Sequence, residues 1–270
     1  DHWLDAARTA ELEADLVGAQ ALYEKARAVF PPSKAANHRL GRFHYDNGRI
    51  EQGLEVLRQS GMLLDVPRLS ASPATDGHLT EAVWAEAVRV DTFYQFSGAH
   101  NAAIPTQVRS EFYVGYTDEA LFLGFRGYDE HPDSISVTDH GHDGPIFWED
   151  VVEIFVDADF DHDDYYQAGV NTRGVVSDAY LADDPASGRV TDEERAWDAD
   201  ARAAAYVGTD FWSLEYRLNF GQPQAPTPES GTVWGFNFAR TFRGREYTQW
   251  TRAYGGNVMN PEHFGALRFR

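Results

Sequence analysis

Residues Phe147–Asp178 read FWEDVVEIFVDADFDHDDYYQAGVNTRGVVSD. Val151, Val152, Ile154, Phe155 and Val156 make a short apolar run, rich in β-branched and aromatic residues, that predicts a core strand. The acids Asp157, Asp159, Asp161, Asp163 and Asp164 then alternate along a loop, and a second strand is expected from Tyr165 to Val176. One hairpin-like unit would carry both a ligand platform and a cation site.

Outward from this unit the strand pattern continues. Val88–Val90, Gln107–Val114, Ala120–Tyr128, Ala201–Val207, Trp212–Leu218, Thr232–Thr241, Glu246–Thr251 and Gly265–Phe269 read as further strands. Short strands with no long helical pattern between them predict a mainly β protein, an antiparallel β-sandwich of jelly-roll or immunoglobulin-like type. The segments 129–145, 181–194 and 221–231, rich in Pro, Gly and Asp, become loops, and the first two are candidate ligand-binding rims.

Toward the N-terminus the period changes near Pro67–Pro73. Leu12, Leu16, Ala19, Tyr23 and Ala26, then Leu40, Phe43, Ile50, Leu54 and Leu57, recur at helical spacing, with breaks at Pro31-Pro32 and Asp46-Asn47-Gly48. Ala19, Tyr23, Ala26 and Pro31 resemble the second helix of a tetratricopeptide-type repeat, with room for fewer than two units. The expected organisation is a helical hairpin or partial repeat over 1–66, a linker over 67–75, and the sandwich over 76–270. The helices are a candidate docking element for a protein.

Composition limits the partners. The 270 residues carry a formal net charge of −20, which repels nucleic acid and anionic lipid and leaves neutral ligands and divalent cations. No 18-residue run of uncharged apolar residues exists, so no membrane span is expected. The absence of cysteine rules out disulfides and thiolate metal sites. The acidic first residues lack the basic and apolar regions of a signal peptide, so a secreted or periplasmic location implies a leader outside this sequence.

Six segments in order then carry a family resemblance over the last 195 or so residues. They are Asp76-Gly77-His78-Leu79 with Trp84; Tyr116 through Gly124; Phe147 through Phe155; Tyr166-Gln167 and Val170-Asn171 with Gly174; Trp234-Gly235-Phe236-Asn237; and Pro261 through Leu267. Together they resemble the family 9 carbohydrate-binding modules and their wider DOMON-like relatives. The resemblance implies a non-catalytic module that holds an oligo- or polysaccharide against tryptophan faces and is stabilised by calcium. Trp148 matches one tryptophan of the family's aromatic clamp and Asn171 a polar ligand contact. The second clamp tryptophan would fall near Val258, and an arginine expected two residues before Asn171 is Gly169, so either another aromatic such as Tyr254 or Trp250 substitutes or the ligand differs from the family's.

Glu153 and Arg173 complete the candidate ligand set, with a Glu153 ion pair to Arg173 or Arg252 as the structural alternative. Asp157, Asp159, Asp161, Asp163 and Asp178 form the candidate calcium set, because calcium takes six to eight oxygen ligands. His140 and His142 are an i, i+2 pair with zinc or copper chemistry that lacks a third ligand in the sequence. Asp150 and Glu153 offer paired carboxylates, yet no nucleophile elbow, phosphate loop or zinc-protease motif accompanies them. A protein-assembly module on a degenerate sandwich and a haem-binding electron-transfer relative are the alternatives. The second has only Met259 and unmatched histidines as axial ligands.

Overall fold

Local capping sets out the helices at the start of the chain. Asp15 accepts the Gly18 N–H at 2.9 Å and Ser33 accepts the Ala36 N–H at 3.1 Å, which starts the second and third of four helices. These are α1 (His2–Leu12), α2 (Leu16–Val29), α3 (Lys34–Asp46) and α4 (Ile50–Gln59). Ala7, Ala19, Tyr23, Leu40, Phe43 and Val56 form their shared core, where the small residues admit close helix approach. The helical segment expected over 1–66 is thus four helices. In α1 Ala7 is buried, with Leu4 and Ala10 packed beside it on the same core.

This computed structural model describes residues 2–95, 106, 108–138, 140–182, 184–187, 189–244, 246–251 and 258–270. They fall into two compact units, divided between Leu64 and Asp65.

The second unit is built on two sheets. Its strands are β1 (Leu63–Val66), β2 (Val88–Val90), β3 (Tyr94–Gln95), β4 (Ser110–Tyr116), β5 (Ala120–Tyr128), β6 (Val151–Asp157), β7 (Tyr165–Asn171), β8 (Val176–Leu181), β9 (Ala201–Val207), β10 (Phe211–Asn219), β11 (Val233–Phe242), β12 (Glu246–Gln249) and β13 (Gly265–Phe269). One sheet runs β1-β13-β11-β6-β7-β8, with β12 and β3 added beside the second half of β11; the other runs β2-β4-β5-β10-β9. Phe112, Phe236 and Phe238 interleave between them, with the Phe112 and Phe238 rings stacked at 3.5 Å.

The opening motif has a structural cause. Buried Glu215 accepts the backbone N–H groups of Asp76, Gly77 and Leu79 and the Trp84 indole N–H, all within 3.2 Å. Gly77 has φ +88 and lies so close to Ala205 that a Cβ would come within 2.7 Å of its backbone, so only glycine fits. The expected linker also belongs to this unit: Leu69 is buried against Trp84, Ala120 and Phe122, and its N–H bonds to Tyr116 at 2.7 Å.

The strand expected from Tyr165 to Val176 is two strands. Asn171 Oδ1 accepts the N–H groups of Arg173 and Val175 at 3.0 and 3.1 Å, turning the chain between β7 and β8. Asn171 and Gly174, the latter at φ +74, are the turn signal inside that stretch.

Candidate functional site

Trp148 ends a single 3-10 turn, Ile146–Trp148, that leads into β6. Ile146 is buried and anchors the turn, whereas Trp148 is 79% exposed. An indole this exposed is not a plug in the core; it is an apolar face offered to solvent. The anchorage beneath it is polar. Glu149 is buried and accepts the Thr138 N–H at 2.6 Å and the Asn171 amide at 3.1 Å, with His140 Nε2 at 3.3 Å. Asn171 is fully buried, so it holds the turn and Glu149 in place rather than lying at the surface as expected of a ligand contact.

Next to Trp148 is the tip of the β11–β12 hairpin. A Cβ on Gly244 would lie 3.9 Å from the Trp148 carbonyl and 4.0 Å from the Tyr247 hydroxyl. Tyr247 is 38% exposed and lines a pocket of about 140 Å³ with Glu153, Ala239, Thr241, Gln249 and Val258. Glu153 is half-buried there and accepts a hydrogen bond from Gln167 at 3.0 Å. Burial pushes its carboxyl up to about 7 against the opposing effect of that bond. The register β6–β11 places Glu153 opposite Ala239, and β11–β12 places Ala239 opposite Gln249, so the pocket is one patch on one sheet face.

The altered clamp positions fit this geometry. Gly169 lies under the Phe147 ring, and a Cβ there would come within 2.7 Å of Phe147 Cε1. The space an arginine side chain would enter is thus filled by an aromatic ring. Val258 lines the Glu153 pocket and packs beside Phe155 and Phe264.

Other expected contacts lie elsewhere. Trp250 is 5% exposed and stacks on Phe238 at 6.2 Å in the core, so it is not a ligand contact. Arg173 is exposed on the β7–β8 turn. Tyr254 and Arg252 lie outside the described residues. Asp150, fully buried just ahead of β6, accepts the N–H groups of Ser136 and Arg243 and anchors two loops, whereas Glu153 within β6 bonds Gln167, so the two carboxylates serve separate partners.

The candidate metal residues divide into two groups. Carboxylate oxygens of Asp157, Asp159 and Asp161 lie within 4.8 Å of one another, an all-oxygen set of the hardness calcium takes. Asp157 is buried and also closes its loop, accepting the N–H groups of Phe160 and His162 at 2.7 and 3.1 Å. Asp163 uses its N–H to bond Asp161. Asp178 is in the other group, with His142, Asp143 and Asp198. The two histidines likewise separate: His140 turns to Glu149 and His142 to this second group, so they are not a joint ligand pair. Sequence reading missed Tyr247 and Asp198, since nothing local distinguishes a tyrosine at a hairpin tip or an aspartate in an acidic chain.

The class the fold defines is an antiparallel two-sheet β-sandwich, with an exposed indole just ahead of β6 and a small pocket on the face shared by β6, β11 and β12. Residues 75–270 match the model of the family described as "Carbohydrate family 9 binding domain-like", and the chain belongs to that family. No curated protein matches the chain. Among solved structures, it is similar to a family 9 carbohydrate-binding module from Caldicellulosiruptor kristjanssonii in complex with cellotriose, at 20% identity and TM-score 0.53 over 77% of this chain and 93% of that one. A structure of a family 9 module from the same organism with glucose aligns at 19% identity and TM-score 0.53, over 77% and 96%. A candidate carbohydrate-binding protein from Bacteroides uniformis aligns at 14% identity and TM-score 0.58, over 78% and 100%. At these identities the likeness to solved structures concerns the fold.

Proposed function

We propose that the sandwich is a carbohydrate-binding module that holds a neutral glycan on Trp148, with the Glu153 pocket beside it supplying polar contacts. The exposure of Trp148 at 79% carries this reading, because a flat apolar ring held on an anchored turn fits the C–H face of a sugar ring. Glu153, Gln249 and Thr241 are placed to bond hydroxyls, and Tyr247 stands where a second aromatic contact is wanted in place of the tryptophan the chain lacks. Membership of the family and the cellotriose and glucose bound by similar modules support a glucan as the first ligand to test.

Calcium at Asp157, Asp159 and Asp161 belongs to the same proposal, supported by the convergence of their oxygens. Its role would be to hold the β6–β7 loop, and it would take no part in sugar recognition. An extracellular or periplasmic setting follows from a glycan ligand. Titration with cellotriose in calcium-replete buffer tests the reading, with a glycan array for other sugars; saturable binding is expected, and no binding to any sugar would refute it.

A further inference from the structure

The loop ahead of the Trp148 turn holds a group that sugar binding does not use. His142, Asp143, Asp178 and Asp198 each present one donor atom within 4.8 Å of the others. His142 Nδ1 lies 3.2 Å from Asp143 Oδ2 and 3.4 Å from Asp198 Oδ1. Those spacings match the edge of a tetrahedron around zinc, about 3.4 Å for ligand bonds near 2.1 Å. Asp178 Oδ1 lies 3.8 Å from Nε2 of the same ring.

A second observation points to a ligand. Asp178 is 3% exposed, and its Oδ1 is buried without a hydrogen-bond partner while Oδ2 accepts the Ala199 N–H at 3.0 Å. A buried carboxylate oxygen without a hydrogen bond, facing the His142 ring across 3.8 Å, is costly unless a cation compensates it. The backbone also fixes the group: the Asp143 N–H bonds to Val176 at 3.0 Å, and Asp143 Oδ1 accepts the Asp178 N–H at 3.3 Å.

The geometry points to a binding site for a divalent transition metal of the zinc class, formed by His142, Asp143, Asp178 and Asp198 at the edge of the sandwich beside β8. The imidazole decides the class, since calcium and magnesium take oxygen donors whereas nitrogen suits zinc and its neighbours. The oxygen-only group at Asp157, Asp159 and Asp161 is the contrasting hard site. Bound metal would fasten residues 142–143 to β8 and to the segment before β9, five residues ahead of Trp148. It therefore belongs to the scaffold of the aromatic turn.

The test is calorimetric titration of the chelator-stripped chain with zinc chloride. Wild type is expected to bind one equivalent, as is the paired Asp159→Asn, Asp161→Asn variant. His142→Gln and Asp198→Asn, both at exposed side chains, are expected to weaken binding about tenfold or more with the melting temperature of the metal-free chain unchanged. Absence of zinc binding by wild type would overturn the site, leaving an ion pair around His142. Binding unchanged in His142→Gln, or lost only in the Asp159/Asp161 variant, would also overturn it.

Discussion

Single side chains take opposite roles here according to what surrounds them. Trp148 and Trp250 are both tryptophans in loops or strand ends near the same hairpin, yet one is 79% exposed and the other 5% exposed. Glu153 is the titrating group of the pocket. Its carboxyl is pushed by burial from its ordinary 4.5 up to about 7, so the folded protein holds this proton where the unfolded chain has lost it. Between those two pH values the folded state binds more protons, and this group's contribution to stability falls as pH rises. Thermal melts should therefore show Glu153→Gln gaining on wild type from pH 5 to pH 8, with most of the gain on approaching pH 7; a difference between the two that does not change with pH would contradict the assignment. Trp148 and Glu153 stand out as candidates through local signals, a strand start and a polar residue inside an apolar strand; the exposure of the one and the pocket around the other are visible only in the fold. Asn171 was legible as important but not as buried: its role depends on Glu149 and on the turn it closes, which only the three-dimensional register supplies.

Among the elements, the β6–β7 pair carries the site, and its shape rests on one close contact. Phe147 covers Gly169, and a methyl group added there would meet the ring at 2.7 Å. Gly169→Ala is expected to cost about 1–3 kcal/mol, the usual range for overpacking, and to displace the Trp148 turn. In a double-mutant cycle, Phe147→Leu should recover part of that loss, because a smaller side chain removes the clash. Simple additivity in urea denaturation would show that the two residues do not share one space. The strands at Ala120–Tyr128, Ala201–Val207 and Gly265–Phe269 were legible to the residue, since turn residues bound them clearly. The division of Tyr165–Leu181 into β7 and β8 was not, although Asn171 and Gly174 mark the turn, because the tight two-strand return depends on the Asn171 side chain bonding the backbone of Arg173 and Val175. α1 falls inside the helical region expected over 1–66, and Leu4, Ala7 and Ala10 form the stripe that it packs on the shared core.

For the whole molecule, the net charge of −20 sets what can approach the site. Binding of an uncharged oligosaccharide should change little between about 50 mM and 500 mM salt, while a polyanionic glycan should be repelled at low salt and gain only as charge is screened. Marked weakening of neutral-sugar binding by salt would mean that charge, not the aromatic face, supplies the affinity. The fold class was legible from the order of six short motifs, each with a structural reason: the Asp76–Trp84 opening, for instance, exists to fill the four hydrogen bonds of Glu215. The proposed ligand surface was less so, because it is assembled from β6 and, far along the chain, the β11–β12 hairpin and Val258. The most direct test is calorimetric titration of cellotriose into wild type and Trp148→Ala in calcium-replete buffer. Wild type should bind saturably, and the variant should lose at least about tenfold in affinity, or 1.4 kcal/mol, with its melting temperature within about 2 °C of wild type. Equal binding by both proteins, or a large fall in melting temperature alongside the lost binding, would contradict the role of Trp148 as the sugar platform.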